Sequence, residues 1–161
     1  MNESIHPTLV LYNKLSDLPM GKILFTRGVC FKAPYFATIR PLITGLRPGY
    51  GEVKIRKRRS VQNHLGTVHA IAMCNMAELA SGTMTEISVP ATHRWIPKGM
   101  EVEYLKKAET DLIAVARAEL PGQWPDSGDF STRVEVQNIH GEVVARMVIT
   151  MWVSVKKKQT A

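Results

Sequence analysis

The chain has 161 residues, 45% of them apolar and 22% charged, with a formal net charge of +7. That length suits one domain with a core of its own, residues 1-161. Two isolated cysteines, Cys30 and Cys74, exclude a disulfide framework and a CxxC metal or redox pair. No run approaches the ~18 apolar residues of a membrane span, and "TLVLY" is too short for a secretory signal, so a reduced, cytoplasmic protein is expected.

In chain order, "TLVLYNKLSDL" (8 to 18) places Leu9, Tyr12 and Leu15 at helical spacing, and Pro19 ends the pattern. "MGKILFTRGVCF" predicts a second short helix through Ile23, Leu24, Arg27 and Phe31, closed by "KAP". These form an N-terminal preface, 1-33, to a core over 34-158. From Tyr35 the texture becomes β. "FATIRPLITGL" reads as an edge or bulged strand because Pro41 cannot donate to a ladder. After the turn "RPGYG", Val53 and Ile55 alternate with Lys54, Arg56 and Arg58 as a half-exposed strand requires.

A long apolar helix is expected over about 68 to 82, followed by four strand-like runs: "GMEVEYLKKA", "DLIAVARAEL", "FSTRVEVQNI" and "EVVARMVITMWVSV". In the third, Phe130, Thr132, Val134 and Val136 share a face. In the last, Val143, Ala145, Met147, Ile149, Met151 and Val153 do. "IHGE" between them is a hairpin signal, with Gly141 supplying positive φ. One helix cannot cover both faces of a parallel sheet, so the order implies α+β: an antiparallel sheet wrapped around one helix.

Chemistry gathers at "NHLGTVHAIAMCNMAELASG" (63 to 82). A helix starting near Val68 to Ala70 would aim unpaired N–H groups and a partial positive charge at an oxyanion, a thioester carbonyl or a phosphate. Asn63, on a loop tightened by Gly66, can donate to the same place, although turn and capping chemistry explains it equally. Glu78 is an acid on an apolar helix, either a general base or an edge position on a polar flank with Asn75. His64 and His69 have no third ligand at metal spacing, so no metal is expected. Cys74, mid-helix among apolar residues, reads as core. The basic runs "KIRKRR" (54 to 59) and "KKK" (156 to 158) favour anionic partners. Few aromatics interleave with the first, so nucleic acid is not expected.

These residues resemble the signature of hotdog-fold thioesterases of the phenylacetyl-CoA type: Asn, two residues, Gly, two residues, His, then a carboxylate nine positions on. Here the matching positions are Asn63, Gly66, His69 and Glu78. "LPMGKILF" and "KAPYF" are similar to a little-characterised thioesterase-like branch. The resemblance implies a hotdog fold, a homodimer or homotetramer (a dimer of dimers), and acyl-CoA thioester hydrolysis with no cofactor beyond the coenzyme A of the substrate. It implies that the Ala70 amide and Asn63 polarise the carbonyl, that His69 holds the helix start, and that Glu78 of the partner subunit activates water. Arg56, Arg58 and Lys106 would meet the coenzyme phosphates, and Met73, Met76 or the N-terminal helices would line an acyl slot. Two departures stand out: Ala70 and Ile71 occupy positions where the family has Gly-Gly, and the acid is Glu where Asp is common. The alternatives are a hotdog dehydratase or hydratase pairing His64 with Glu78, and a non-catalytic acyl-CoA-binding protein.

Overall fold

A computed structural model describes residues 5–157, so Lys158 of the C-terminal basic run, and the outermost ends of the expected domain, lie outside the described residues. Helices α1 (Pro7–Ser16) and α2 (Gly21–Lys32) precede a 3-10 helix, Pro34–Ile39. Strands β1 (Leu42–Arg47) and β2 (Tyr50–Ile55) come next, then α3 (Ala70–Ser88). Strands β3 (His93–Tyr104), β4 (Leu112–Arg117), β5 (Ser127–Asn138) and β6 (Val143–Val155) complete the chain. The strands form one antiparallel sheet in the order β1-β2-β4-β5-β6-β3. α3 packs on one face of it, against β2, β4 and β5. This is the antiparallel α+β arrangement expected from the element order, and the hotdog fold that the resemblance implied.

α3 is apolar on most of its circumference because the sheet curls around it. Met76, Leu79 and Met84 are fully buried, each contributing roughly 2 kcal/mol by leaving water. Contact is close enough that a Cβ on Gly51 of β2 would sit 2.4 Å from the Ala80 carbonyl oxygen. Between helix and sheet, Ser81 Oγ and Thr132 Oγ1 lie 2.6 Å apart, tying α3 to β5. The inward residues of β5 and β6 follow the expected alternation, with Thr132, Val134, Val136, Met147, Ile149, Met151 and Val153 buried. At the hairpin Gly141 has φ 78°. The register slips between Val136 and Gln137, so Val144 is an extra residue that turns inward beside Ala145, and Val143 is only half-buried.

Four boundaries differ from expectation. β2 ends at Ile55, so Arg56 and Arg58 lie beyond the strand, and Arg59–Val61 is 3-10. α3 runs six residues beyond Gly82, because that glycine is covered by the Trp95 ring and the helical pattern resumes at Met84 and Ile87. It stops where Val89 turns extended before Pro90, which disfavours α geometry in its predecessor. β3 begins at His93, not Gly99; Pro97 and Gly99 flank a register shift on an edge strand, where a missing N–H is tolerated. "FATIRPLITGL" splits: Pro34–Ile39 is 3-10, Arg40 has φ 46°, and strand geometry starts only after Pro41, on an edge strand with a shift between Ile43 and Gly45.

The N-terminal helices dock at the β1 edge. Tyr12 and Phe25 meet edge-to-face at 5.1 Å. The Ile43 N–H donates to Thr26 Oγ1 at 3.0 Å, and Lys22 Nζ donates to the Thr44 carbonyl at 2.7 Å.

Candidate active site

The loop before α3 is built by Asn63. Its Oδ1 accepts from the N–H groups of Leu65 (3.0 Å) and Thr67 (3.2 Å), and its Nδ2 donates to Thr67 Oγ1 (2.8 Å). The Asn63 N–H donates to the Thr67 carbonyl at 2.9 Å, closing the loop. Gly66 supplies φ 75°, which a side chain would strain. The loop is fixed to the body through Val68 N–H to the Ala108 carbonyl and His69 N–H to the Val61 carbonyl, both 2.8 Å.

His69 is the N-cap of α3: its Nδ1 accepts from the Ile71 N–H at 3.0 Å. That bond requires Nδ1 without a proton, leaving the proton of a neutral ring on Nε2. The Ala72 and Met73 N–H groups donate to the His69 carbonyl at 3.0 and 3.2 Å. Of the first four N–H groups of α3, the Ala70 N–H alone has no hydrogen-bond partner among the described residues. It lies at the positive end of a 19-residue helix. A single donor is left free where a developing negative oxygen would be stabilised.

Glu78 sits eight residues along α3, about 12 Å up the axis. It is half-buried and opens on an apolar cavity of roughly 720 Å³ between the N-terminal helices, α3 and β3. Leu11, Leu15, Phe25 and Val29 line one side; Trp95 and Pro97 line the other. Glu86 is held at the cavity's rim as the acceptor of Trp95 Nε1–H at 2.8 Å. Asn63, His69 and Ala70 do not line this cavity. Within one chain, then, the structure groups Asn63, Gly66, His69 and Ala70 and sets Glu78 apart from them.

Other anticipated residues are distributed unevenly. Met73 and Met76 are buried, so the methionines fill the core while the N-terminal helices wall the cavity. Cys74 is half-buried on the β3 side, not core: its Sγ lies 3.2 Å from Tyr104 Oη. Burial, then that contact, pushes the Tyr104 phenol up to about 12. Asn75 is buried rather than on a polar flank. Its Nδ2 donates to Thr38 Oγ1 at 3.3 Å, and its Oδ1 has no partner among the described residues. His64 is exposed and does not line the Glu78 cavity. Arg58 is committed to the Thr38 carbonyl at 2.9 Å, and burial and then Arg40 pull it below the ordinary range. Lys106 is paired with Glu142 at 2.7 Å. Arg56 is exposed with no ion pair among the described residues. The N-terminal helices expected at an acyl slot do wall this cavity, whereas Trp95 and Pro97 reach it only through the fold and were not legible in the sequence. Among the described residues no three His, Cys, Asp or Glu side chains gather as metal ligands, and no helix is long and apolar enough to cross a membrane.

Residues 21–153 match the family described as Domain of unknown function (DUF4442). A structural-genomics crystal structure whose name states no activity is 44% identical, with a TM-score of 0.79 over 92% of this chain and 99% of that one. A probable thioesterase of Pseudomonas aeruginosa is 21% identical, with a TM-score of 0.71 over 79% of this chain and 91% of that one. A thioesterase from Haemophilus influenzae is 9% identical, with a TM-score of 0.68 over 79% of this chain and 87% of that one. The last two share the fold with this chain. No curated protein matches it.

Proposed function

This chain belongs to the family described as Domain of unknown function (DUF4442), and on that premise we propose that it is a thioester hydrolase acting on acyl-CoA. The observation that supports the reading is that α3 carries both an unpartnered helix-start N–H, at Ala70, and a carboxylate, Glu78, that opens on an apolar cavity. The Ala70 N–H takes the thioester oxygen, and the second amide hydrogen of Asn63 completes the cradle. Glu78 takes a proton from the attacking water, whose oxygen bonds to the acyl carbon as the C–S bond breaks. The proton passes to the departing sulfur, giving a carboxylic acid and the free thiol.

In this reading the two halves of the site come from different subunits. Glu78 and Ala70 open on different spaces in one chain, whereas a second copy facing the β3 side of α3 can bring its helix start to Glu78. The acyl group lies in the cavity under α1 and α2. Ile71 is 55% exposed beside the free N–H and narrows the approach to it. Arg56, unencumbered by local pairs, is the best placed of the three expected basic residues to meet coenzyme phosphates.

The experiment is thiol release from a panel of acyl-CoA esters of increasing chain length. Glu78→Gln should lower kcat by about 10²–10⁴, the ordinary worth of a general base, without moving the unfolding midpoint. Undiminished turnover in a folded Glu78→Gln protein rejects the mechanism.

A further inference from the structure

The outer face of the sheet, turned away from α3, carries a feature that hydrolysis does not use. Arg47, Tyr50, Arg117, Arg133 and Val148 occupy one cross-strand row, each residue directly opposite the next on neighbouring strands. Their inward neighbours Gly51 and Val134 face α3, so this row faces out.

The row concentrates positive charge. Arg117 on β4 stands directly opposite Arg133 on β5, a like-charge pair that costs stability in a sheet. Arg47 Cζ lies 3.9 Å from the Tyr50 ring centroid, and Arg117 Cζ lies 5.6 Å from it, so two guanidinium groups are held against one aromatic ring. Nearby acids form no ion pair with them among the described residues. Glu52 accepts from Thr44 Oγ1 and Tyr50 Oη, both at 2.6 Å. Glu135 is paired with Arg146 at 3.5 Å, and Glu119 is exposed at the rim. None of the three arginines forms an ion pair among the described residues.

These side chains line an open concavity of roughly 950 Å³. Its rims are the β1–β2 turn at Pro48 and Gly49 and the segment after β4, Ala118 to Leu120. Val115 and Val148 supply apolar floor between the charged groups. Planar guanidinium forks suit phosphate oxygens, and a shallow, half-apolar floor suits a flat ring more than a flexible chain.

We propose that this outer concavity binds a nucleoside diphosphate group, its phosphates on Arg117 and Arg133 and its base on the apolar surface of Val148 and Leu120. The like-charge pair is retained because the bound anion neutralises it. The same chemistry is present in a free nucleotide and in the nucleotide end of coenzyme A. Binding here does not depend on the role of Glu78.

The test is calorimetric titration of the full chain with ADP at low and high salt. Saturable binding is expected, weakening as salt rises, and falling at least about tenfold in Arg117→Gln/Arg133→Gln as two charge-assisted contacts are lost. Without ligand that variant should melt at or above the wild-type temperature; if it does not fold, Arg133→Gln alone serves. Displacement of ADP by coenzyme A points to the coenzyme as the source, and lack of displacement to a free nucleotide. Inorganic pyrophosphate should bind more weakly than ADP. The proposal is overturned by absence of saturable ADP binding, by ADP affinity unchanged in the variant, or by pyrophosphate binding as tightly as ADP. Attachment to anionic phospholipid vesicles without ADP binding, or a variant particle of half the mass, also overturns it by assigning the face to a membrane or to a second copy.

Discussion

The β1 edge of the sheet is closed by its own chain, whereas the β3 edge is left bare. At β1, α2 lies along the strand, Thr26 takes the Ile43 N–H and Lys22 takes the Thr44 carbonyl. At β3, twelve residues form an edge with no neighbour beyond them in the sheet order, and Ile96 is 59% exposed. An exposed edge of that length offers pairing to another strand, although Pro97 and the register shift before Gly99 interrupt it midway. The sealed edge holds the N-terminal helices as cavity wall, and on the proposed reading the open edge is where a second copy completes the site.

The largest effect is expected at the open edge. Ile96→Lys places a charge on β3 that disfavours edge pairing. The particle mass from light scattering should halve, and thioester turnover should fall with it, while the circular dichroism of the chain is retained. Turnover undiminished in a monomeric Ile96→Lys protein would remove the shared site.

An intermediate effect is expected at the sealed edge. Thr26→Val leaves the Ile43 N–H without its acceptor in a buried setting, at a cost of about 1–3 kcal/mol. For a chain of this size that lowers the melting temperature by roughly 2–4 °C per kcal/mol, with oligomeric mass unchanged. A change of mass with no loss of stability would reverse the roles of the two edges.

The smallest effect is electrostatic. Burial alone would raise the Glu52 pKa, but hydrogen bonds from Thr44 and Tyr50, then the charges of Lys54 and Lys22, hold it below its ordinary value of 4.5. A carboxylate depressed on folding adds stability above its unfolded pKa. That contribution is lost as pH falls through the folded value. Acid unfolding curves of wild type and Glu52→Gln should therefore differ above about pH 4.5 and converge below it.

The edges also show what could be read from residues alone. Alternation in "FSTRVEVQNI" and "EVVARMVITMWVSV" revealed the inward face of β5 and β6, because a two-residue period is local. The apolar character of α3 and the spacing of Asn63, Gly66, His69 and Glu78 were legible for the same reason. The continuation of α3 past Gly82 was not, since it depends on Trp95 arriving from β3. Cys74 has apolar neighbours in sequence and packs against the core, yet it is only half-buried, with its Sγ 3.2 Å from Tyr104 Oη of β3. Asn75 looked like polar flank until the 3-10 helix Pro34–Ile39 was seen to bring Thr38 to it. The arginine row carries no local signal, because Arg47, Arg117 and Arg133 are brought together only by strand register.

In the proposed site, Glu78 of one chain serves the Asn63 and Ala70 of another. Mixing two inactive variants tests it most directly: Glu78→Gln, and Asn63→Asp, which keeps the Oδ1 acceptor of the loop but removes the amide donor. After co-refolding, statistical pairing makes half of the dimers mixed, and each mixed dimer holds one site with both native groups. Turnover should return to about a quarter of wild type. No recovery, with mixed dimers present by native mass spectrometry, would place both groups of each site in a single chain and rule out the shared site.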